Sequence, residues 1–330
     1  MLNLMLTRRC NQRCVYCFAR GAMDAGGVQD MDLETYRWAL DLIRRGGGCE
    51  VRLLGGEPTL HPEFPAFTRM ALDLGLNLLV FSNGRMPAAA LDALQQAPVG
   101  RCHLVLNLWA HLDGKVPSVP RPTAGLADVL GRLGRRVVLG TTIWRLPSDL
   151  DGLLRVWDDA RWELAPSIRL GLAHPRQGEP NLYLHPKQYP ALGQVLGDLA
   201  RDCTARGIAL QFDCGFVACM LDEETRAALS ENGASLLFQC RPVLDLDPSG
   251  RRLSYCFASG IALDPRRTDA RDLAGLRRRL EEMTDAYRAI GVYRACSVCP
   301  QHQADRCDGG CLSHRLARLQ VPAPVIPPEV

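Results

Sequence analysis

Short apolar runs punctuated by polar residues or glycine recur along the first half of the chain: LNLML (2–6), EVRLL (50–54), LNLLVF (76–81), HLVLNLW (103–109), RVVLGTTIW (136–144) and SIRLGL (167–172). Apolar runs of this length, bounded by turn residues, predict buried strands. Between several of them apolar residues recur every three or four positions, as in DLETYRWALDLIRRG (32–46) and EFPAFTRMALDLG (63–75). That spacing predicts helices with one buried stripe. Asp32 is placed to cap the first of these helices and Gly46 to end it. Strand and helix alternating about six times imply βαβ units, parallel pairing and right-handed crossovers. The expected fold class is therefore α/β: a partial (β/α)6, TIM-like barrel, with its chemistry at the C-terminal ends of the strands.

The alternation stops after residue 213, where cysteines crowd together and turns multiply (DPSG 247–250, GG 309–310). The expected division is a barrel over 1–213 and a cysteine-rich C-terminal domain over 214–320. A proline-rich, extended tail, VPAPVIPPEV, follows over 321–330. A hydrophobic share of 47% in 330 residues suits two globular domains. The net charge of +3 is too mild for a nucleic-acid partner, and RDLAGLRRRLEEM (271–283) interleaves Arg and Glu as a solvated helix does. MLNLML (1–6) is too short for a signal-peptide core, and no later run reaches the ~20 apolar residues of a membrane span. A cytoplasmic location is expected, and there the 14 cysteines indicate metal or redox chemistry rather than disulfides.

Cys10, Cys14 and Cys17 form C-x3-C-x2-C in the loop after the first strand, a spacing that chance gives roughly 0.02 times in such a chain. Three thiolates on one loop can ligate three irons of a [4Fe–4S] cube and leave the fourth iron open. Zinc completed by a distant ligand is the alternative. Strand alternation adds candidates: in HLVLNLW, Leu104, Leu106 and Leu108 face the helices, so Val105, Asn107 and Trp109 face the lumen. In SIRLGL the same phase points Arg169 inward, and Ser82 and Thr142 take matching places on the third and fifth strands.

The segment RRCNQRCVYCFA (8–19) resembles the signature of the radical S-adenosylmethionine (SAM) superfamily, including the aromatic Tyr16 before the last cysteine. Gly55-Gly56-Glu57-Pro58, after the second strand, resembles that superfamily's second motif. The resemblance implies SAM bound through its amino and carboxylate groups to the open iron. It also implies one-electron cleavage to methionine and a 5′-deoxyadenosyl radical, and a flavodoxin- or ferredoxin-type reductant. On this footing Tyr16, Gly55, Gly56, Glu57, Pro58, Ser82, Asn107, Thr142 and Arg169 belong to the SAM pocket. Asn107 would face a ribose, Arg169 the SAM carboxylate and Glu57 the ammonium. The family's Ser-x-Asp-Gly pattern on the fourth strand is matched only by Asp113-Gly114, several residues late, so the role falls to Asn107 or Asp113. No catalytic acid or base is identified.

Cys214, Cys219, Cys240, Cys256, Cys296, Cys299, Cys307 and Cys311 are enough to ligate two further cubes. C-x2-C-x7-C-x3-C (296–311), preceded by C-x9-G-x5-C (240–256), resembles the SPASM extension of radical SAM enzymes, which implies auxiliary [4Fe–4S] clusters. Two spacings are longer than the family's and nothing follows Cys311, so Cys214 and Cys219 make up the count from upstream. One cluster, or a structural zinc site, are the alternatives. Cys49, Cys102 and Cys203 are expected as buried, inert thiols, and His302 lies among the late cysteines as a further possible ligand. The implied activity is oxidative, RiPP-maturase-like modification of a peptide or protein side chain, by crosslinking or dehydrogenation. The loop HLDGKVPSVPRP (111–122) would shape the mouth of the site. With the triad at residue 10, leader recognition is expected to need a separate protein or direct docking to the barrel. The alternatives are oxidation of a small molecule such as an alcohol, or a non-catalytic zinc or iron–sulfur interaction module.

Overall fold

The computed structural model describes residues 1–24, 27, 29–108, 124–146, 150–159, 163–176 and 181–319. Seven strands lie parallel in chain order: β1 (Leu2–Met5), β2 (Glu50–Leu54), β3 (Asn77–Ser82), β4 (Cys102–Asn107), β5 (Val137–Ile143), β6 (Ser167–Leu172) and β7 (Ala209–Phe212). Between them run α1 (Arg20–Asp24), α2 (Leu33–Arg45), α3 (Phe64–Asp73), α4 (Ala88–Gln96), α5 (Ala124–Leu133), α6 (Asp151–Asp158) and α7 (Tyr189–Ala205). After β7 come α8 (Glu223–Glu231), the short strands β8 (Leu244–Leu246), β9 (Leu253–Ser254) and β10 (Ala262–Leu263), then α9 (Leu273–Arg288), α10 (Pro300–Gln303) and α11 (Leu312–Leu319). No helix among the described residues is long and apolar enough to cross a membrane.

The elements follow from local chemistry. Asp32 caps α2 by accepting from the Thr35 N–H, and the Gly46 N–H closes it on the Leu42 carbonyl. Tyr36, Ala39, Leu40 and Ile43 share the buried face of α2, as their three- and four-residue spacing requires. Within the sheet, Leu4, Leu53, Val80, Leu104, Leu106, Leu139, Ile168 and Leu170 are all at most 1% exposed and face the helices. Each such residue stabilises the fold by about 1.5–3 kcal/mol.

All six expected strands form, and β7 extends the row. The cysteine-rich half is not set apart from the sheet. β8 pairs in parallel with the free edge of β1 (Leu2↔Leu244, Leu4↔Leu246), giving one ten-stranded order, β10-β9-β8-β1-β2-β3-β4-β5-β6-β7. The sheet is open, with β7 and β10 at its two ends. It is anchored across the join by the Asn3 amide, which donates to the Asp245 carboxylate at 2.6 Å.

Candidate functional site

The cysteine loop leaves β1 and is held at both flanks. At its base, Thr7 donates to Asp30 (2.6 Å), and Arg9 forms an ion pair with the same carboxylate (2.6 Å). Gly55 and Gly56 run alongside: the Gly56 N–H donates to the Thr7 carbonyl (2.8 Å) and the Glu57 N–H to the Arg9 carbonyl (2.7 Å). A Cβ on Gly55 would stand 2.5 Å from the Thr7 oxygen, and one on Gly56 closer still to the Arg9 oxygen. The double glycine thus serves close backbone approach, not a left-handed turn. On the other flank the segment after β6 grips the loop. The Leu182 N–H donates to the Val15 carbonyl (2.9 Å), Arg176 to that of Phe18 (2.9 Å) and Asn181 to that of Tyr16 (3.4 Å). Cys10, Cys14 and Cys17 are all partly exposed, and burial pushes the Cys10 and Cys14 thiols up. Ligation needs thiolates, so loading this loop releases protons.

Below the loop, register places one residue from each of four strands in a row: Asn107, Gly140, Arg169 and Gln211. Tyr16 reaches down to this row, its hydroxyl 3.3 Å from the Asn107 amide nitrogen, and its ring stacks on Trp144 at 6.4 Å. Arg169 extends across the lumen to lie over the Phe81 ring at 4.8 Å, and its Nε donates to Asp213 Oδ1 at 2.8 Å. Gly171, paired with Thr142, makes room for that carboxylate: a Cβ there would lie 2.9 Å from Asp213 Oδ2. Asp213 and Trp144 were missed by the sequence reading. The signal for Trp144 was the same alternation (Val138, Gly140, Thr142, Trp144), and for Asp213 its place at a strand end beside Cys214.

The eight late cysteines fall into two quartets. Burial, then the neighbouring thiols of Cys240, Cys311 and Cys256, push the Cys214 thiol well up. Cys311, then burial, push the Cys240 thiol well up, and Cys256 is pushed up to about 12 by burial, Asp245 and Cys240. Separately, Cys219 is raised by burial and by Cys296, Cys307 and Cys299. Those four line one cavity of about 120 Å³ with Arg226 and His302. Glycine makes this packing possible: Gly291 meets Cys296 and Gly309 so closely that neither could carry a side chain. A cation bound among the four sulfurs of either quartet would favour their thiolate forms. Among the described residues no three His, Cys, Asp or Glu side chains converge tightly enough for one metal ion. Four cysteines in each quartet supply the ligand set of a cube or of a structural zinc site.

Residues 4–107 match the family model described as the radical SAM superfamily. This stretch of the chain carries the radical SAM domain. It is 37% identical over 128 residues to the PqqA peptide cyclase of Ruegeria pomeroyi, covering 38% of this chain and 30% of that protein. To an S-adenosylmethionine-dependent nucleotide dehydratase of Selenomonas ruminantium it is 33% identical over 86 residues, 26% of this chain and 30% of the relative. The chain thus spans about a third of the length of the curated relatives it matches. Among solved structures, Streptococcus suis SuiB bound to precursor peptide SuiA shares the fold with a TM-score of 0.68 at 12% identity, over 98% of this chain and 73% of that one.

Within this radical SAM fold several expected pocket residues are placed otherwise. Ser82 shares the phase of Leu78 and Val80, 4% exposed and turned away from the lumen; its hydroxyl donates to Glu57 at 2.9 Å. Glu57 is 1% exposed and already accepts four hydrogen bonds, from Thr59 (N–H and hydroxyl), Ser82 and the Asn83 N–H. Pro58 is buried and opens the short turn that follows. Tyr16, Asn107, Thr142 and Arg169 do face the lumen side, and only the first two touch. Cys102 and Cys203 are buried, and burial pushes both thiols up to about 11, whereas Cys49 is exposed and departs from the buried-thiol expectation. His302 borders the second quartet, its Nδ1 2.8 Å from the Cys307 carbonyl oxygen. Trp109, Asp113-Gly114, the loop 111–122 and the tail 321–330 lie outside the described residues.

Proposed function

We propose that this chain cleaves SAM at a [4Fe–4S] cluster held by Cys10, Cys14 and Cys17 and uses the radical to oxidise a peptide or protein side chain. The observation that carries it is the cysteine loop pinned between the glycine pair on one flank and Arg176, Asn181 and Leu182 on the other, above the row of Asn107 and Arg169. When bound, the triad's cluster supplies one electron to the SAM sulfonium, and clusters at the two quartets supply an acceptor for the electron left on the substrate. Asn107 and Tyr16 present an amide and a hydroxyl at the place a ribose would occupy. Arg169 spends its Nε and one Nη2 donor on Asp213, so further donors remain for a carboxylate. The motif backbone at 55–57 keeps the loop rigid, and the aromatic wall of Tyr16, Trp144 and Phe81 narrows water access.

Two likenesses support a peptide substrate. The cysteine-rich half is part of what is shared with SuiB, which was solved with a precursor peptide, and the PqqA peptide cyclase aligns with 128 residues of the chain. Two further clusters also suit a net two-electron oxidation. The test is anaerobic reconstitution with SAM, a reductant and a candidate peptide deuterated at the attacked carbon. The label should pass into 5′-deoxyadenosine, and replacing all three triad cysteines by Ala should abolish that product. Product formation by the triple variant, or a label accepted only from a small alcohol, would overturn the respective half of the reading.

A further inference from the structure

Arg315 is among the largest side chains fully withdrawn from solvent, at 1% exposure. It stands in α11 one turn beyond Cys311, to whose carbonyl its own N–H donates at 3.3 Å. The guanidinium donates only to carbonyl oxygens: Nη1 to Tyr287 (3.2 Å) and Arg288 (3.5 Å), Nη2 to Gly310 (2.9 Å). Its Nε is buried without a partner. Among the described residues no carboxylate forms an ion pair with it. Asp308, three residues before Cys311, accepts instead from the Cys240 N–H at 2.7 Å. A buried cation with no counter-ion is strongly destabilising, so such a group implies an anion missing from the protein alone. Gly310, which the guanidinium grips, adjoins Cys311, so the charge of Arg315 is fixed beside that cysteine.

We propose that Arg315 is the built-in counter-charge of the site formed by Cys214, Cys240, Cys256 and Cys311. It balances the net negative charge of four thiolates around an iron–sulfur core and holds that cluster's reduction potential up. The inference rests on the auxiliary-cluster reading above. Each electron added to such a core makes it one unit more negative, so a fixed neighbouring cation favours the reduced form.

The test uses the full-length chain reconstituted anaerobically, with Cys10, Cys14 and Cys17 replaced by Ala so that only auxiliary clusters report. Iron content comes first: about eight irons are expected, four per cube. Iron near zero or bound zinc would sink the cluster reading itself, before Arg315 is touched. Redox titration followed by electron paramagnetic resonance then compares Arg315→Met and Arg315→Lys in that background. At a fixed potential, Arg315→Met should leave iron intact and shift one auxiliary signal at least tenfold toward the oxidised form, 59 mV for one electron. Arg315→Lys, which keeps the charge, should stay within about threefold, half that span on the same scale. A Met variant titrating like its parent would overturn the proposal, as would a Lys variant shifted as far as Met. Should Arg315→Met fail to fold, hydrogen exchange on the wild-type chain serves. Removing iron should expose the amides of α11 while leaving those of α2 protected, and unchanged protection of α11 would overturn the counter-charge role.

Discussion

Glu57→Gln alters a single buried atom. The Oε1 atom accepts from the Thr59 N–H (3.2 Å), the Thr59 hydroxyl (2.5 Å) and the Ser82 hydroxyl (2.9 Å), and Oε2 accepts from the Asn83 N–H (2.8 Å). The amide can keep the first three by retaining its oxygen at Oε1, but its NH2 then faces the Asn83 N–H, donor against donor. A lost bond to a charged acceptor and a stranded donor cost about 1–3 kcal/mol after the relief of removing a buried charge, since burial pushes the Glu57 carboxyl up. For a chain of this size that lowers Tm by about 2–12 °C, at 2–4 °C per kcal/mol. Circular dichroism of the iron-free chain measures the Tm, and calorimetry on the reconstituted chain measures SAM binding. With the carboxylate's capacity nearly spent, SAM affinity should change by less than about threefold, 0.6 kcal/mol. Ser82→Ala, combined with Glu57→Gln, should show a coupling of about 0.5–3 kcal/mol because the two side chains touch. An unchanged Tm together with SAM binding weakened tenfold would refute the clamp and return Glu57 to the ligand role.

Three further outcomes are expected. Gly56→Ala drives a Cβ into the Arg9 carbonyl and should cost about 1–3 kcal/mol in chemical denaturation and strip iron from the triad, whereas Gly125→Ala, in open space on α5, should stabilise by about 0.5–1 kcal/mol. Asp245 is held at about 6 by burial, above the ordinary value near 3.9, so the unfolded chain ionises first as pH rises. Stability contributed by the protonated group is full below pH ~4 and lost between about 4 and 6, about 3 kcal/mol in all. Denaturation measured across that window should show the loss in wild type and a flatter profile in Asp245→Asn. Arg169→Ala removes a guanidinium that still has donors to offer and should weaken SAM binding roughly 10- to 150-fold, about 1.5–3 kcal/mol, by calorimetry; unchanged affinity would assign it to Asp213 alone.

The strands and the triad were legible because both are written locally. A helix-covered strand must alternate Leu and Val with something else, and β4, β5 and β6 do so within six or seven residues. The triad's three cysteines lie on one short loop, so their spacing shows in the sequence itself. Ser82 shows where local reading slips: it was placed by its position at the strand end, whereas its own phase with Leu78 and Val80 turns it to Glu57. Gly56 shows another limit, since only the neighbouring chain at Arg9 reveals the close approach that needs a glycine there.

What tertiary structure alone decided is which distant groups meet. Eight cysteines in order admit many partitions, and the fold chose by returning α11 so that Cys311 leaves its own run to join Cys214, Cys240 and Cys256. Cys219 crosses the other way to Cys296, Cys299 and Cys307. Arg169 found Asp213 because β7 pairs in register with β6, 44 residues on. Arg315 is the furthest from local inference: arginine ordinarily stays in water, and its sequence neighbours say nothing of a buried cation. Hydrophobic periodicity fixes which face of each element is covered, but the partner of a buried charge depends on where the chain turns back.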